Sequence, residues 1–144
     1  MKASEIRVSY LNDNPEKIII TDSQTVYNLI KKYWDLNKIE LQEEVKIVLL
    51  DEVNIVIGIF DLSKRGLSES AVDVKLALSV ALKELSSNII LVHNHPKGDL
   101  NPSKVDMRMT NILKNACDVV DIKLIDHLII SKKSYFSFKD RSYL

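Results

Sequence analysis

Two histidines and an aspartate stand in one short segment, NIILVHNHPKGDLNPSKVD, with the histidines at His93 and His95 and the aspartate at Asp106. His93 and His95 are two apart at the end of an apolar run, so on an extended strand end their rings point the same way. Seven residues separate His95 from Ser103. Ser103-Lys104-Val105-Asp106 reads as the start of a helix that returns Asp106 to the two imidazoles. Two neutral imidazoles and a carboxylate make a three-ligand metal site whose fourth position is left for water, the feature that separates a catalytic zinc site from a structural one. Zinc suits this donor set, which also serves non-haem iron, and manganese stays open beside it. Such a cation acts as a Lewis acid toward a carbonyl and toward its bound water. Each residue has a plainer reading: a histidine near a buried strand is usually a hydrogen-bonded core residue, and Ser-x-x-Asp after a proline is a capping box. The joint pattern, and no single residue in it, favours the metal.

His-x-His followed after seven residues by Ser-x-x-Asp resembles the JAMM (JAB/MPN+) metalloprotease motif. Asn94, between the two histidines, is similar to the bacterial RadC-like branch, as is Asp126-His127-Leu128-Ile129-Ile130 further on. The resemblance runs from about Val45 to the C-terminus and implies a domain over residues 45–144 preceded by an extension over 1–44. It implies a cytidine-deaminase-like fold, a Zn2+ cofactor held by His93, His95 and Asp106, and hydrolysis of a peptide or isopeptide amide by a metal-activated water. Longer RadC proteins carry a helix-hairpin-helix region ahead of the domain, and no such segment is visible in this sequence.

The JAMM pattern also implies roles for two further groups. Its serine matches Ser103, whose hydroxyl can support a tetrahedral oxyanion and can equally cap the helix behind Pro102. Its glutamate, on a strand upstream of the histidines, takes a proton from the water and passes it to the leaving amine. The strand over residues 54–62 holds no glutamate. Counting back from Gly66 puts Asp61 at the matching position, while counting forward from Asn54 puts Phe60 there. Asp61 is thus the expected proton carrier, with a solvated strand-end carboxylate as its plainer reading. Asn94 reads as a residue that orients the loop or a ligand, Asp99 as turn support, and His127 as outside the ligand set.

A chain of 144 residues, 46% hydrophobic, is long enough for one domain with a real core. Twenty basic against twenty acidic side chains give no net charge, which removes the usual signature of a protein that grips phosphate backbones. The expected partner is a peptide or protein substrate, with at most weak DNA association. The one cysteine excludes a disulfide framework and a cysteine-rich zinc site. No run approaches membrane-spanning length and the start leads into no signal-like apolar stretch, so the cytoplasm is the expected compartment. The oligomeric state is not written in the sequence.

The elements that must position these residues follow from apolar spacing. Short strands are expected over 5–10 and 17–20 with a turn at 12–15, then an amphipathic helix over 23–36 that turns Tyr33 and Trp34 inward. Apolar β-branched runs over 45–50 and 54–60 read as a hairpin in the centre of a sheet, ended by Gly66. Val74, Leu78, Ala81, Leu82 and Leu85 mark one face of a helix from Ser70 to about Leu85. A buried strand over 89–93 delivers the histidines. After a loop with Pro96, Gly98 and Pro102 comes a helix over 103–117 whose buried stripe is Val105, Met109, Ile112, Leu113 and Ala116. Strands over 122–131 and 135–138 close the chain as a hairpin. The order of elements implies an α+β or three-layer α/β domain, a mixed sheet flanked by helices.

Overall fold

Continuous apolar runs of β-branched residues build the centre of the molecule. In a computed structural model, which describes residues 1–7, 9–13, 16–63 and 73–144, these runs form a five-stranded sheet. Gly66, the helix start at Ser70 and part of the 12–15 turn lie outside the described residues. The strands are β1 (Val45–Leu50), β2 (Val56–Ser63), β3 (Asn88–Asn94), β4 (Lys123–Ile130) and β5 (Tyr135–Ser137), in the order β2-β1-β3-β4-β5. The sheet is mixed: β3 and β4 run parallel, and every other pair is antiparallel. Three helices, α1 (Ser23–Lys31), α2 (Val74–Lys83) and α3 (Lys104–Val119), flank it.

Strand parity divides the core in two. Val45, Ile47, Leu49, Ile89 and Leu91 face α2 and α3, while Val48, Leu50, Ile90, Val92 and Leu128 face α1. The arrangement is an α+β domain with helices on both faces of the sheet. Ile20, Trp34 and Ile39 join the α1-side core, so the chain ahead of β1 packs as part of the same body from Ile20 onward.

Several expectations shift. The described residues of 5–10 are exposed and form no strand, and the 17–20 segment makes a single bridge, Ile19 to Ile55. Helix α1, capped by Asp22 accepting from the Thr25 amide at 2.7 Å, stops at Lys31 because the chain tightens into turns that bond Tyr33 to Ile30 and Trp34 to Lys31. That tightening buries Trp34 but turns Tyr33 outward. Strand β2 lies at the sheet edge, and its partly exposed faces agree with that place. In α2 the fully buried positions are Ala77 and Ala81, with Leu82 and Leu85 exposed. Ile112 of α3 is likewise exposed, and Cys117 takes the inner position. The ends of α2 and α3 are set by left-handed residues, Leu85 and Asp121, after which Ser86 and Ile122 bond back to Ala81 and Cys117.

Candidate metal centre

The histidines are positioned by the last turn of pairing in the sheet. His93, next to last in β3, lies opposite Val45 on the α3 face and is fully buried. His95 follows the strand, its amide held by the Ile130 carbonyl at 3.0 Å. Asp106 comes from the first turn of α3, where Ser103 and Asp106 form a reciprocal capping box. Ser103 Oγ accepts from the Asp106 amide at 3.0 Å, and Asp106 Oδ2 accepts from the Ser103 amide at 2.8 Å. The capping box thus leaves this carboxylate facing the imidazoles. Its Oδ1 lies 3.3 Å from His93 Nε2 and its Oδ2 lies 3.2 Å from His95 Nε2.

A fourth side chain joins them. Glu43, two residues before β1, brings Oε1 to 3.9 Å from His93 Nε2. Ligand-type atoms of Glu43, His93, His95 and Asp106 all lie within 4.8 Å of one another. Antiparallel pairing explains the meeting, because the start of β1 must lie beside the end of β3. The segment carrying Glu43 is clamped by the buried Asn94 side chain. Asn94 Oδ1 accepts from the Glu44 amide at 2.7 Å, and Asn94 Nδ2 donates to the carbonyls of Ile39 at 2.7 Å and Gln42 at 2.9 Å.

Asp61, expected as the proton carrier, is not brought to this cluster. It pairs with Lys46, which neighbours Val92 on the opposite face of the sheet from His93, and there it forms an ion pair with Lys46 with 60% of its side chain exposed. Phe60, the other alignment, packs into the α2–α3 core. Glu43 lies outside the strand over 54–62 on which the sequence pattern directs the search for an acidic group. The signal available was the acidic pair Glu43-Glu44 directly ahead of the apolar run 45–50. Asp99 supports its turn through bonds from Asn101 at 3.0 Å, and its carbonyl also accepts from His95 Nδ1. His127 is fully buried and reaches His93 from behind, with His127 Nε2 2.7 Å from His93 Nδ1. Its neighbour Asp126 accepts from the amides of His127 and Lys139 and the hydroxyl of Ser137, which makes it a structural carboxylate.

The donor set fits a cation. His95 spends its Nδ1 proton on the Asp99 carbonyl, so in the neutral ring Nε2 is a lone pair, 3.0 Å from His93 Nε2. Tetrahedral bonds of about 2.0–2.1 Å place ligand atoms roughly 3.3 Å apart. The spacings among His93, His95 and Asp106, 3.0 to 3.3 Å, suit such a set, with Glu43 standing farther off. Burial would raise the Asp106 carboxyl, but the two imidazoles and the Ser103 amide overcome it and hold the group well below the usual carboxylate range. Burial lowers His93 against the pull of Asp106, while the bond to Asp106 raises His95. Binding a divalent ion at this carboxylate and these two imidazoles would require both rings in their neutral form, so uptake of the ion would be coupled to proton release from His95, whose bond to Asp106 favours its charged form.

Beside His95 opens a cleft of about 360 Å³, whose lining includes Ile39, Leu100, Lys97, Lys132 and Lys133. No helix among the described residues is long and apolar enough to cross a membrane.

Comparison with known proteins identifies the family. Residues 20–143 match the family model of the RadC-like JAB domain. A UPF0758 protein of Flavobacterium johnsoniae is 42% identical over 98 residues, covering 68% of this chain and 43% of the relative. One from Porphyromonas gingivalis is 39% identical over 132 residues, 90% of this chain and 56% of the relative, and UPF0758 protein SH1266 of Staphylococcus haemolyticus is 36% identical over 135 residues, 93% and 58% respectively. The chain spans about half the length of these curated relatives. By motif, fold and match over most of its length, the chain belongs to the RadC-like JAB domain family.

Proposed function

We propose that this chain is a zinc-dependent hydrolase of peptide or isopeptide amide bonds, in which His93, His95 and Asp106 hold the ion and Glu43 moves the proton. The convergence of Glu43 with the three ligands carries this reading. Bound there, the ion supplies Lewis-acid chemistry, lowering the pKa of a water and polarising a carbonyl. Glu43, with a third of its side chain exposed, accepts a proton from the attacking water and delivers it to the leaving amine. Ser103 uses a lone pair for its helix cap, which leaves its hydroxyl proton for a developing oxyanion. The substrate lies in the cleft beside His95, between the 95–100 loop and the 131–134 turn.

Glu43→Gln tests the reading. It keeps the shape of the side chain and removes its basicity. On a panel of peptide and isopeptide substrates, hydrolysis should fall by about 10²- to 10⁴-fold with zinc content retained. Unchanged hydrolysis in this variant would refute Glu43 as the proton carrier.

One observation favours a second reading, a metal-binding module that associates with DNA: three lysines, Lys97, Lys132 and Lys133, line the same cleft. The zero net charge weighs against it. Tight DNA binding at physiological salt, lost on replacing these lysines and retained without zinc, would promote it over the hydrolase.

A further inference from the structure

The rear of His93 meets neither a carboxylate nor a main-chain carbonyl. Its Nδ1 lies 2.7 Å from Nε2 of His127, whose Nδ1 lies 2.6 Å from Thr110 Oγ1, which in turn lies 2.6 Å from the main-chain oxygen of Asp106. The direction of this chain can be read from its far end. A carbonyl oxygen only accepts, so the single hydroxyl proton of Thr110 points to Asp106 O. The Thr110 oxygen is then the acceptor toward His127, whose proton must sit on Nδ1. The His127 ring is fully buried and stacked on Phe138 at 4.4 Å, and the carboxylate next to it, Asp126, takes the His127 amide at 2.7 Å. A second ring proton would be a fully buried charge with no carboxylate hydrogen-bonded to either ring nitrogen, so Nε2 is a lone pair. His93 Nδ1 must therefore supply the proton between the two rings. His93 Nε2 is left bare, facing Asp106 and His95.

We infer that Thr110 and His127 are positioning residues that lock His93 in the tautomer able to bind a cation, through a relay anchored on the main chain of Asp106. This inference rests on reading the cluster as a metal centre. The anchor couples two ligands to one turn of helix: α3 sets the Asp106 carboxylate through the Ser103 box and sets the His93 ring through Thr110, four residues on. His95 is independent of the relay, since the Asp99 carbonyl orients it. Loss of Thr110 thus frees the His93 ring while the Ser103 box still holds the Asp106 carboxylate.

Long-range ¹H–¹⁵N spectra of the full chain with labelled histidine, recorded with zinc and after chelation, read the tautomers directly. Competition with a chromophoric chelator reads zinc affinity. The relay requires the single proton of His93 and that of His127 to sit on Nδ1 in both states. Thr110→Val should shift the His127 proton toward Nε2 and weaken zinc binding about 10- to 100-fold, and Thr110→Ser should restore both. A His93 proton on Nε2 in the chelated parent would overturn the inference, as would Thr110→Val with parental tautomers and affinity. A parent that takes up no zinc would instead refute the functional reading, and its spectra would still decide the tautomer.

Discussion

The two faces of the sheet, at the same end of β1, handle acidic side chains in opposite ways. On the α1 face Glu44 and Asp61 meet the buried ammonium of Lys46, with Nζ 3.7 Å from Glu44 and 4.8 Å from the centre of the Trp34 ring. On the α3 face Asp106 meets two imidazoles whose Nε2 atoms are 3.0 Å apart. One face carries its own cation, and the other presents donors for one from outside. A single step along the extended chain that leads into β1, from Glu43 to Glu44, separates the two. The contrast teaches that a carboxylate near a motif in sequence is informative only once its face is known.

Removing a ligand should break the contrast most severely. His93→Ala, His95→Ala and Asp106→Ala should each lower zinc affinity beyond the roughly 10- to 100-fold effect of an outer partner, measured by chelator competition. Full retention in two of them would end the metal-centre account. Next in size is the pair Glu43→Gln and Asp61→Asn. The first should cost about 10²-fold or more in hydrolysis, and the second should leave hydrolysis and zinc content as they are. A large loss in Asp61→Asn alone would reverse the assignment of the two faces.

Lys46→Met should sharpen the comparison from the other side. It leaves Glu44 buried without its cation, at a cost of about 1–3 kcal/mol in denaturant unfolding, while zinc content stays at the parental level. Ser103→Ala should lose about 0.5–2 kcal/mol with the helix cap, and its turnover should fall more than its zinc content. An effect confined to alkaline pH concerns Cys117, where burial and then Asp118 push the thiol from its ordinary 9.0 up to about 11. The folded chain holds this proton more tightly than the unfolded one. Stability present below about pH 9 is therefore lost as pH rises from about 9 toward 11, and Cys117→Ala should flatten that part of the stability curve. Native-state alkylation at pH 8 should be far slower than in the unfolded chain.

Much of this was legible in local pattern. His93, His95 and Asp106 sit in one segment whose spacing is fixed by a strand end and a helix start, so short-range geometry suffices. The apolar runs of β1, β3 and β4 are buried strands for the same local reason. Glu43 was not legible in that way, because it reaches the cluster through antiparallel pairing with a strand about fifty residues later, Val45 opposite His93. His127 depends on the parallel register of β3 and β4, which places it beside Leu91. Tyr33 pointed outward because side-chain bonds of Asp35 and tight turns replace the last helical turn. The α2 stripe rotated onto Ala77 and Ala81, where small side chains allow a close approach that spacing alone does not encode.

The central claim, that the α3 face holds an external cation, is tested most directly by diffraction from zinc-grown crystals on both sides of the zinc absorption edge. The account requires one anomalous peak per chain within about 2.0–2.2 Å of His93 Nε2, His95 Nε2 and an Asp106 carboxylate oxygen, with Glu43 outside bonding distance. A peak elsewhere, or none with zinc in excess, would contradict it.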